Sequence, residues 1–431
     1  MNILIASIQL PWPLDSGGRV ALYSSLACLS NDHCFTLVCP VWTEKALSDA
    51  VELQARFPRM KIRAVYCGPP KAPPPRQDDF LLRSVRGVAK RYRGWRQDPA
   101  PAAVQVKESQ VPYYPFAPLP EAFVEAVANE VPRGIDLVQA EFVEMLSLGA
   151  WLPRDIPKVF IHHQLQFVYS QRLSTARRLG GYSEYLEKVM RAQEETYLRK
   201  FNAVVVFSAE DKHALSGWLE DDRVHVSPFP ILSGSAASEE FLEPCFSFVG
   251  SEAHFPNQDG LEWLVEDVWP KILQHIPGAV LRVTGVWGEA SRARYSKQGV
   301  EFTGHVEDLH TAIRGSVMLV PLRIGSGIRV KLLDAMSSGV PAVSTSIGCE
   351  GIPARDGTDI LIRDDEAEFA TAAVGLLNDH GLRRRMARAG RDLVLEHYSP
   401  EQVRKRRNEI YEKVLGQMPC SKLPKHGAAI S

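Results

Sequence analysis

The chain has little that could staple it or anchor it. Its seven cysteines (Cys28, Cys34, Cys39, Cys67, Cys245, Cys349 and Cys420) are odd in number, scattered, and never in Cys-x-x-Cys spacing. Neither a disulfide framework nor a zinc site is indicated, and a reducing compartment fits best. No apolar run approaches the roughly 20 residues that span a bilayer. Met1 to Ser7 is apolar but lacks the basic start and small-residue cleavage site of a signal peptide. The expectation is a soluble, cytoplasmic protein. A field of one sign is also missing: 50 Lys plus Arg stand against 51 Asp plus Glu, so nothing global recruits nucleic acid, and no nucleic-acid partner is expected. There is no Walker loop and no Gly-x-Ser-x-Gly elbow, which removes the parts that kinase and hydrolase readings need.

What is present is ample core material. With 45% hydrophobic and 23% charged residues over 431 positions, the composition is globular and the length suits two or three domains, two being simpler. Short apolar runs bounded by turn residues alternate with helical patterns, the signature of parallel sheets covered by helices. The runs fall at 3–6, 35–39, 62–66, 137–139, 159–161, 204–207 and 224–227, then at 246–250, 280–285, 301–303, 318–321, 342–345 and 360–362. Each set can make its own doubly wound sheet. Pro228, Pro230, Gly234 and Ser235 interrupt all periodicity between them, so the halves are read as 1–230 and 231–416 with a tail at 417–431. The last helical pattern, 400–416, has no strand after it and is expected to pack back on the first half.

One segment departs from this rhythm. Residues 68–120 are rich in proline around a single helical stretch, 79–96, with Leu81, Val85, Val88, Tyr92 and Trp95 on one side and Arg83, Arg86, Lys90, Arg91, Arg93 and Arg96 on the other. A basic amphipathic helix packs on its own domain or touches an anionic membrane surface from the cytoplasmic side.

Two glycine loops carry chemistry. Pro11 to Arg19 (PWPLDSGGR) follows the first strand and precedes a helix at 20–29; Gly17 and Gly18 let the backbone approach a ligand, and the helix N-terminus offers amides to an anion. Arg19 closes this loop and is placed on the acceptor side. The second loop lies in VPLRIGSGIRVKLLDAMSSGVP, residues 320–341. There Gly325, Ser326 and Gly327 are expected to open a helix over 328–337, whose dipole and amides favour a diphosphate. Arg329 and Lys331 add positive charge, and Asp334 one turn on is suited to accept from both ribose hydroxyls.

Taken in order, FVGSEAHFPNQDGLEWL (248–264), LRVTG (281–285), VEFTGHVEDL (300–309) and the long motif at 320–352 resemble the donor domain of retaining glycosyltransferases of family 4, the group 1 glycosyltransferases. The resemblance is strong over 246–398 and loose before it. It implies an α/β, GT-B architecture: two Rossmann-like doubly wound parallel-sheet domains facing a cleft. It further implies transfer of a sugar from a nucleoside-diphosphate donor to a saccharide, lipid-linked or small-molecule acceptor, with retention. Gly250, Gly304 and His305 fall in its matched segments and join the donor-binding set. Two departures stand out. The family pattern of Glu, seven residues, Glu is here Ser326 and Asp334, and the basic pair after the first strand is replaced by Ser251, Glu252, His254 and Gln258.

In the first half, VFIHHQLQFVYSQR (159–172) sets His162 and His163 at a strand end beside the expected cleft. The resemblance gives a histidine here a contact with the donor sugar near its reacting carbon, and His163 is the preferred match. Glu141, after the strand at 137–139, is an acceptor-side candidate. There is no Asp-x-Asp pair, so neither a metal nor another cofactor is expected and the nucleotide sugar is simply a substrate. Two alternatives share these features: a sugar-nucleotide 2-epimerase, and a non-catalytic nucleotide-sugar-binding scaffold suggested by Ser326.

Overall fold

The computed structural model describes residues 1–68, 115–177, 180–232 and 245–417. The basic helical stretch at 79–96 and the tail beyond 417 therefore lie outside the described residues, as does most of the segment between the halves.

Every apolar run forms a strand. In the first half these are β1 (Asn2–Ser7), β2 (Cys34–Val41), β3 (Lys61–Tyr66), β4 (Leu137–Glu141), β5 (Lys158–His162), β6 (Ala203–Val206) and β7 (Val224–Val226). In the second half they are β8 (Cys245–Val249), β9 (Val280–Thr284), β10 (Val300–Gly304), β11 (Val317–Val320), β12 (Ala342–Ser344) and β13 (Leu361–Ile362). The two sheets have the orders β3-β2-β1-β4-β5-β6-β7 and β10-β9-β8-β11-β12-β13, and all pairings are parallel. Burial on both faces explains the continuous apolar runs. Ile3 and Ile5 face one core while Leu4 and Ala6 of the same strand face another, the alternation a strand imposes.

Among the described residues the helices are α1 (Gly17–Leu29), α2 (Glu44–Arg56), α3 (Glu121–Glu130), α4 (Leu148–Trp151), α5 (Gln166–Arg177), α6 (Gly181–Leu198) and α7 (Ala209–Ala214), followed by α8 (Phe255–Trp263), α9 (Trp269–His275), α10 (Glu289–Tyr295), α11 (Leu309–Ile313), α12 (Val330–Ser337), α13 (Glu366–Asn378), α14 (His380–Tyr398) and α15 (Pro400–Gly416). Two starts differ from the sequence reading. Helix α1 begins at Gly17, so Gly17 and Gly18 form its first turn rather than a loop before it. Helix α12 begins at Val330, later than 328, because Gly325 (φ 139°) and Gly327 (φ 76°) adopt backbone conformations no helix contains.

Helix α15 has Pro400 at its first turn, where a missing N–H costs nothing. It packs on α1. Cys28 Sγ donates to Pro400 O at 3.0 Å, His33 Nε2 meets Asn408 Oδ1 at 2.8 Å, and Tyr411 Oη donates to Gln139 Oε1 at 2.5 Å, beneath the first sheet. The last helix thus reaches the strand that leads into the cleft.

Candidate active site

The segments that follow β1 and β5 of the first sheet meet the loop and helix that follow β11 of the second, and glycines make the approach possible. A Cβ on Gly17 would lie 3.1 Å from Val330 Cγ2, and one on Gly327 only 2.9 Å from His163 O. Ser326 Oγ donates to Leu165 O at 3.3 Å across the same gap. The glycine loop of the second domain therefore rests directly on the first. This is the crevice outside strand ends where open α/β sheets bind ligands.

Helix α12 has eight residues, with Arg329 as its N-cap and no cap bond from that side chain; Leu332 and Leu333 N–H donate back to Arg329 O at 3.0 and 3.3 Å, which leaves the amides of Val330 and Lys331 to meet an anion. Lys331 sits in this turn. Its ammonium donates to Val249 O at 2.6 Å and Asn257 Oδ1 at 2.7 Å and lies 5.2 Å from the centre of the Phe248 ring. Gly250 is required there, since a Cβ on it would come within 2.6 Å of the Asn257 side chain. No carboxylate stands among these partners. Loss of solvent, followed by the neighbouring Arg329, pulls the Lys331 pKa down to about 7. One turn on, Asp334 is half-buried. Among the described residues its carboxylate receives no hydrogen bond, and desolvation pushes its pKa up to about 7. A cation lacking an anion and an acceptor lacking donors thus lie one helical turn apart.

Arg329 departs from its expected role. Its Nη1 donates to Ser326 O at 2.6 Å and Gly327 O at 2.8 Å, and Nη2 to Ile347 O at 3.3 Å. The guanidinium folds back under its own loop and braces it, so it is not the group aimed at phosphate. Burial, only partly offset by Glu350, lowers its pKa to about 10. Arg329→Ala would leave the carbonyls of Ser326 and Gly327 without donors and a gap beneath the loop. The expected cost is about 2–3 kcal/mol, measured by urea unfolding, with no rescue by lysine, whose single ammonium cannot span the three acceptors.

His162 and His163 part company. His162 is fully buried and its Nε2 pairs with Glu194 Oε1 at 2.7 Å, while the same carboxylate accepts from the backbone N–H groups of Gln166 and Phe167 at the start of α5, each at 3.1 Å. It is a structural pair that fastens α5, and the structure removes His162 from the catalytic set. His163 is less enclosed, its side chain 10% exposed. Its Nε2 lies 2.6 Å from Glu141 Oε2, its ring stacks on Phe142 with centres 3.9 Å apart, and its Nδ1 is buried with no partner. Glu141, 1% exposed, cannot reach an acceptor as expected, because both its oxygens are engaged, by His163 and by Gln139 Nε2 at 2.5 Å.

Other predicted residues take smaller parts. Gly18 admits the Phe142 ring, 2.8 Å from where its Cβ would be. Arg19 is held by Asp15 at 3.3 Å. Gly304 ends the edge strand β10, two strands from β8, and His305 follows it.

Three groups, Arg172, Glu350 and His254, were given no role from the sequence. Arg172 of α5 binds Glu350 through both terminal nitrogens, at 2.5 and 2.7 Å, and donates to Gly325 O at 2.5 Å. With Leu165, Asp211 and Ser326 this pair lines a cavity of about 470 Å³ beside the glycine loop. His254, beyond β8, stacks on Tyr169 of α5 with centres 6.5 Å apart; desolvation, Lys331 and Arg329 lower its pKa to about 4. A neutral ring there is a hydrogen-bonding group and not a phosphate cation. Arg172 ended a segment already noted for its histidines, but its partner lies 178 residues away and no local signal joins them.

With this geometry in hand, the relatives can be placed. Residues 243–379 match the family model of glycosyl transferases group 1. A protein of Klebsiella pneumoniae named "Uncharacterized 44.6 kDa protein in cps region" is 26% identical over 204 residues, 45% of this chain and 51% of that one. The alignment thus spans about half the length of that relative. Among solved structures, Anabaena HepE in complex with UDP aligns with a TM-score of 0.64 at 12% identity, over 96% of this chain and all of that one. Sucrose-phosphate synthase from Thermosynechococcus elongatus gives 0.66 at 15% identity over 96% and 99%. The fold is GT-B. A TarM mutant of S. aureus, solved with Fondaparinux, alpha-GlcNAc-glycerol and UDP, aligns at 0.65 and 10% identity over 95% and 99%. As in other GT-B proteins, two parallel sheets present their strand ends to a shared cleft, and the group 1 match falls on the half that carries Lys331 and Asp334.

Proposed function

We propose that this GT-B protein transfers a glycosyl unit from a nucleoside-diphosphate sugar to a hydroxyl of a glycan or lipid-linked acceptor, with retention of configuration. The observation that carries the reading is the pair Lys331 and Asp334, drawn toward neutrality from opposite sides because neither has a counter-group. A diphosphate on the Val330 and Lys331 amides of α12 supplies the anion Lys331 lacks, and a ribose supplies the two donors Asp334 lacks. UDP is the first candidate, since HepE and TarM were each solved with it. The acceptor class is supported by the glycan ligands in the TarM structure's name and by the cps region of the Klebsiella relative.

In this reading the acceptor oxygen attacks the anomeric carbon on the face the diphosphate leaves. The bond from that carbon to the diphosphate oxygen breaks, and the oxygen takes both the electron pair and the acceptor proton. The chain's work is to hold the donor and to stabilise charge that grows on the diphosphate. Because protein groups meet that charge, transfer is expected to persist in excess EDTA. A radiolabelled panel of nucleotide sugars, incubated with saccharide acceptors in chelator, should give one labelled product. Loss of all transfer in EDTA, restored by manganese or magnesium, would contradict the metal-free account. Free nucleotide sugars interconverted at carbon 2 without an acceptor would replace transfer by epimerisation.

A further inference from the structure

Three hydrogen bonds in series, the first two buried, join the last helix to the cleft. Tyr411 Oη donates to Gln139 Oε1 at 2.5 Å, Gln139 Nε2 donates to Glu141 Oε1 at 2.5 Å, and Glu141 Oε2 stands 2.6 Å from His163 Nε2. Tyr411, Gln139 and Glu141 are 0%, 2% and 1% exposed, so water does not compete for the first two links. The direction of the series is fixed at its start. A tyrosine hydroxyl facing a carbonyl oxygen must donate, which turns the amide N–H of Gln139 toward Glu141, so that carboxyl group is used as an acceptor on Oε1 and meets the imidazole N–H through Oε2. The proton between Glu141 and His163 therefore belongs to Nε2.

A second feature converges on the same ring. Phe142 has φ 73° and ψ 150°, a region occupied almost only by glycine and costing of order 1–3 kcal/mol for other residues. In an extended strand, neighbours point to opposite faces; the turn at Phe142 lets it and Glu141 both reach His163. Its ring stacks on His163 with planes 16° apart and fills the space over Gly18. Strain is retained here where it holds one imidazole flat. The other nitrogen, Nδ1, is buried and has no partner.

We infer that Glu141, Gln139, Tyr411 and Phe142 are positioning residues that lock His163 as the Nε2–H tautomer, reserving Nδ1 as an acceptor for a hydroxyl of the bound sugar. The second half of this statement rests on the function proposed above; the first does not. In that tautomer Nδ1 carries a lone pair and no proton, so it accepts from an O–H and rejects a phosphate oxygen. The last helix is then part of the site as well as a strap between domains.

The test is the tautomer itself. In protein labelled with 15N-histidine, long-range proton–nitrogen correlations at pH 8 should show one ring protonated on Nε2 that disappears in His163→Gln. Glu141→Ala should convert that ring to a mixture or to the Nδ1–H form. Tyr411→Phe, which removes only a hydroxyl, should keep the fold and shift the Nε2 proton signal, because each link polarises the next. Once a donor turns over, Tyr411→Phe should lower kcat about two- to tenfold, the scale of one neutral hydrogen bond, with donor KM unchanged. A wild-type His163 carrying its proton on Nδ1, or a Glu141→Ala protein with the wild-type tautomer, would overturn the inference. Failure of UDP to bind would sink the proposed function while leaving the tautomer result standing.

Discussion

Lys331→Ala is expected to lower kcat/KM for the donor by ten- to a hundredfold while the protein stays folded. Charge grows on the diphosphate as the glycosidic bond breaks, so a cation aimed at it stabilises the transition state more than the bound donor. A charge-assisted hydrogen bond is worth about 1.5–3 kcal/mol, which sets that scale. Folding should tolerate the change, because the ammonium is held by Val249 O and Asn257 Oδ1 with no carboxylate beside it, and removing an uncompensated buried charge relieves desolvation. Asp334→Ala should differ in kind. Ribose hydroxyls do not change charge in the reaction, so their lost acceptor raises KM with little effect on kcat. Steady-state kinetics on both variants, with circular dichroism as the folding control, separate the two effects.

UDP affinity is expected to pass through a maximum near pH 7. Asp334 must be ionised to accept from two hydroxyls, and its pKa is pushed up to about 7, so binding strengthens as pH rises to that value. Lys331 must be protonated to meet the diphosphate, and its pKa is pulled down to about 7, so above it affinity falls by up to about tenfold per pH unit. The terminal phosphate of UDP ionises near pH 6 and adds to the rising limb; Asp334→Asn should remove the protein's share of that limb, and Lys331→Met the falling one. The free protein responds with the opposite signs. The folded Lys331 pKa lies below its ordinary 10.5, so the unfolded chain binds the extra proton between about 7 and 10.5 and stability rises with pH there. The folded Asp334 pKa lies above its ordinary 3.8, so the native state binds the extra proton between about 4 and 7 and stability falls with pH in that window. Each contributes at most about 1.4 kcal/mol per pH unit. Calorimetric titrations of UDP across pH 5 to 9 check the binding curve, and urea unfolding of the free protein checks the stability curve.

The strands were legible because a strand buried on both faces leaves an uninterrupted apolar run, as in Ile3 to Ala6 or Met318 to Val320. The glycine loop was legible because Gly325 and Gly327 occupy backbone angles that other residues avoid. Side-chain direction was not. His162 and His163 look equivalent in a string, yet they lie at a strand end where successive residues face opposite ways, and one meets Glu194 while the other meets Glu141. Arg329 looked like a phosphate ligand from its place beside the loop. It turns inward because the positive-φ glycines leave the carbonyls of Ser326 and Gly327 pointing at it. Glu141 read as a cleft-edge carboxylate, and only the long-range partners Gln139, Tyr411 and His163 show it to be enclosed. Contacts such as Tyr411 to Gln139 join residues 272 apart and leave no periodic trace.

The central claim, that a nucleoside diphosphate seats on the α12 amides beside Lys331 and Asp334, is tested most directly by calorimetric titration of UDP, GDP, ADP and TDP into the wild-type protein and into Lys331→Ala at pH 7. The account predicts that one diphosphate binds the wild type and that Lys331→Ala weakens it by about ten- to a hundredfold. Binding of that diphosphate with equal affinity to both proteins, or of none of the four to the wild type, would contradict it.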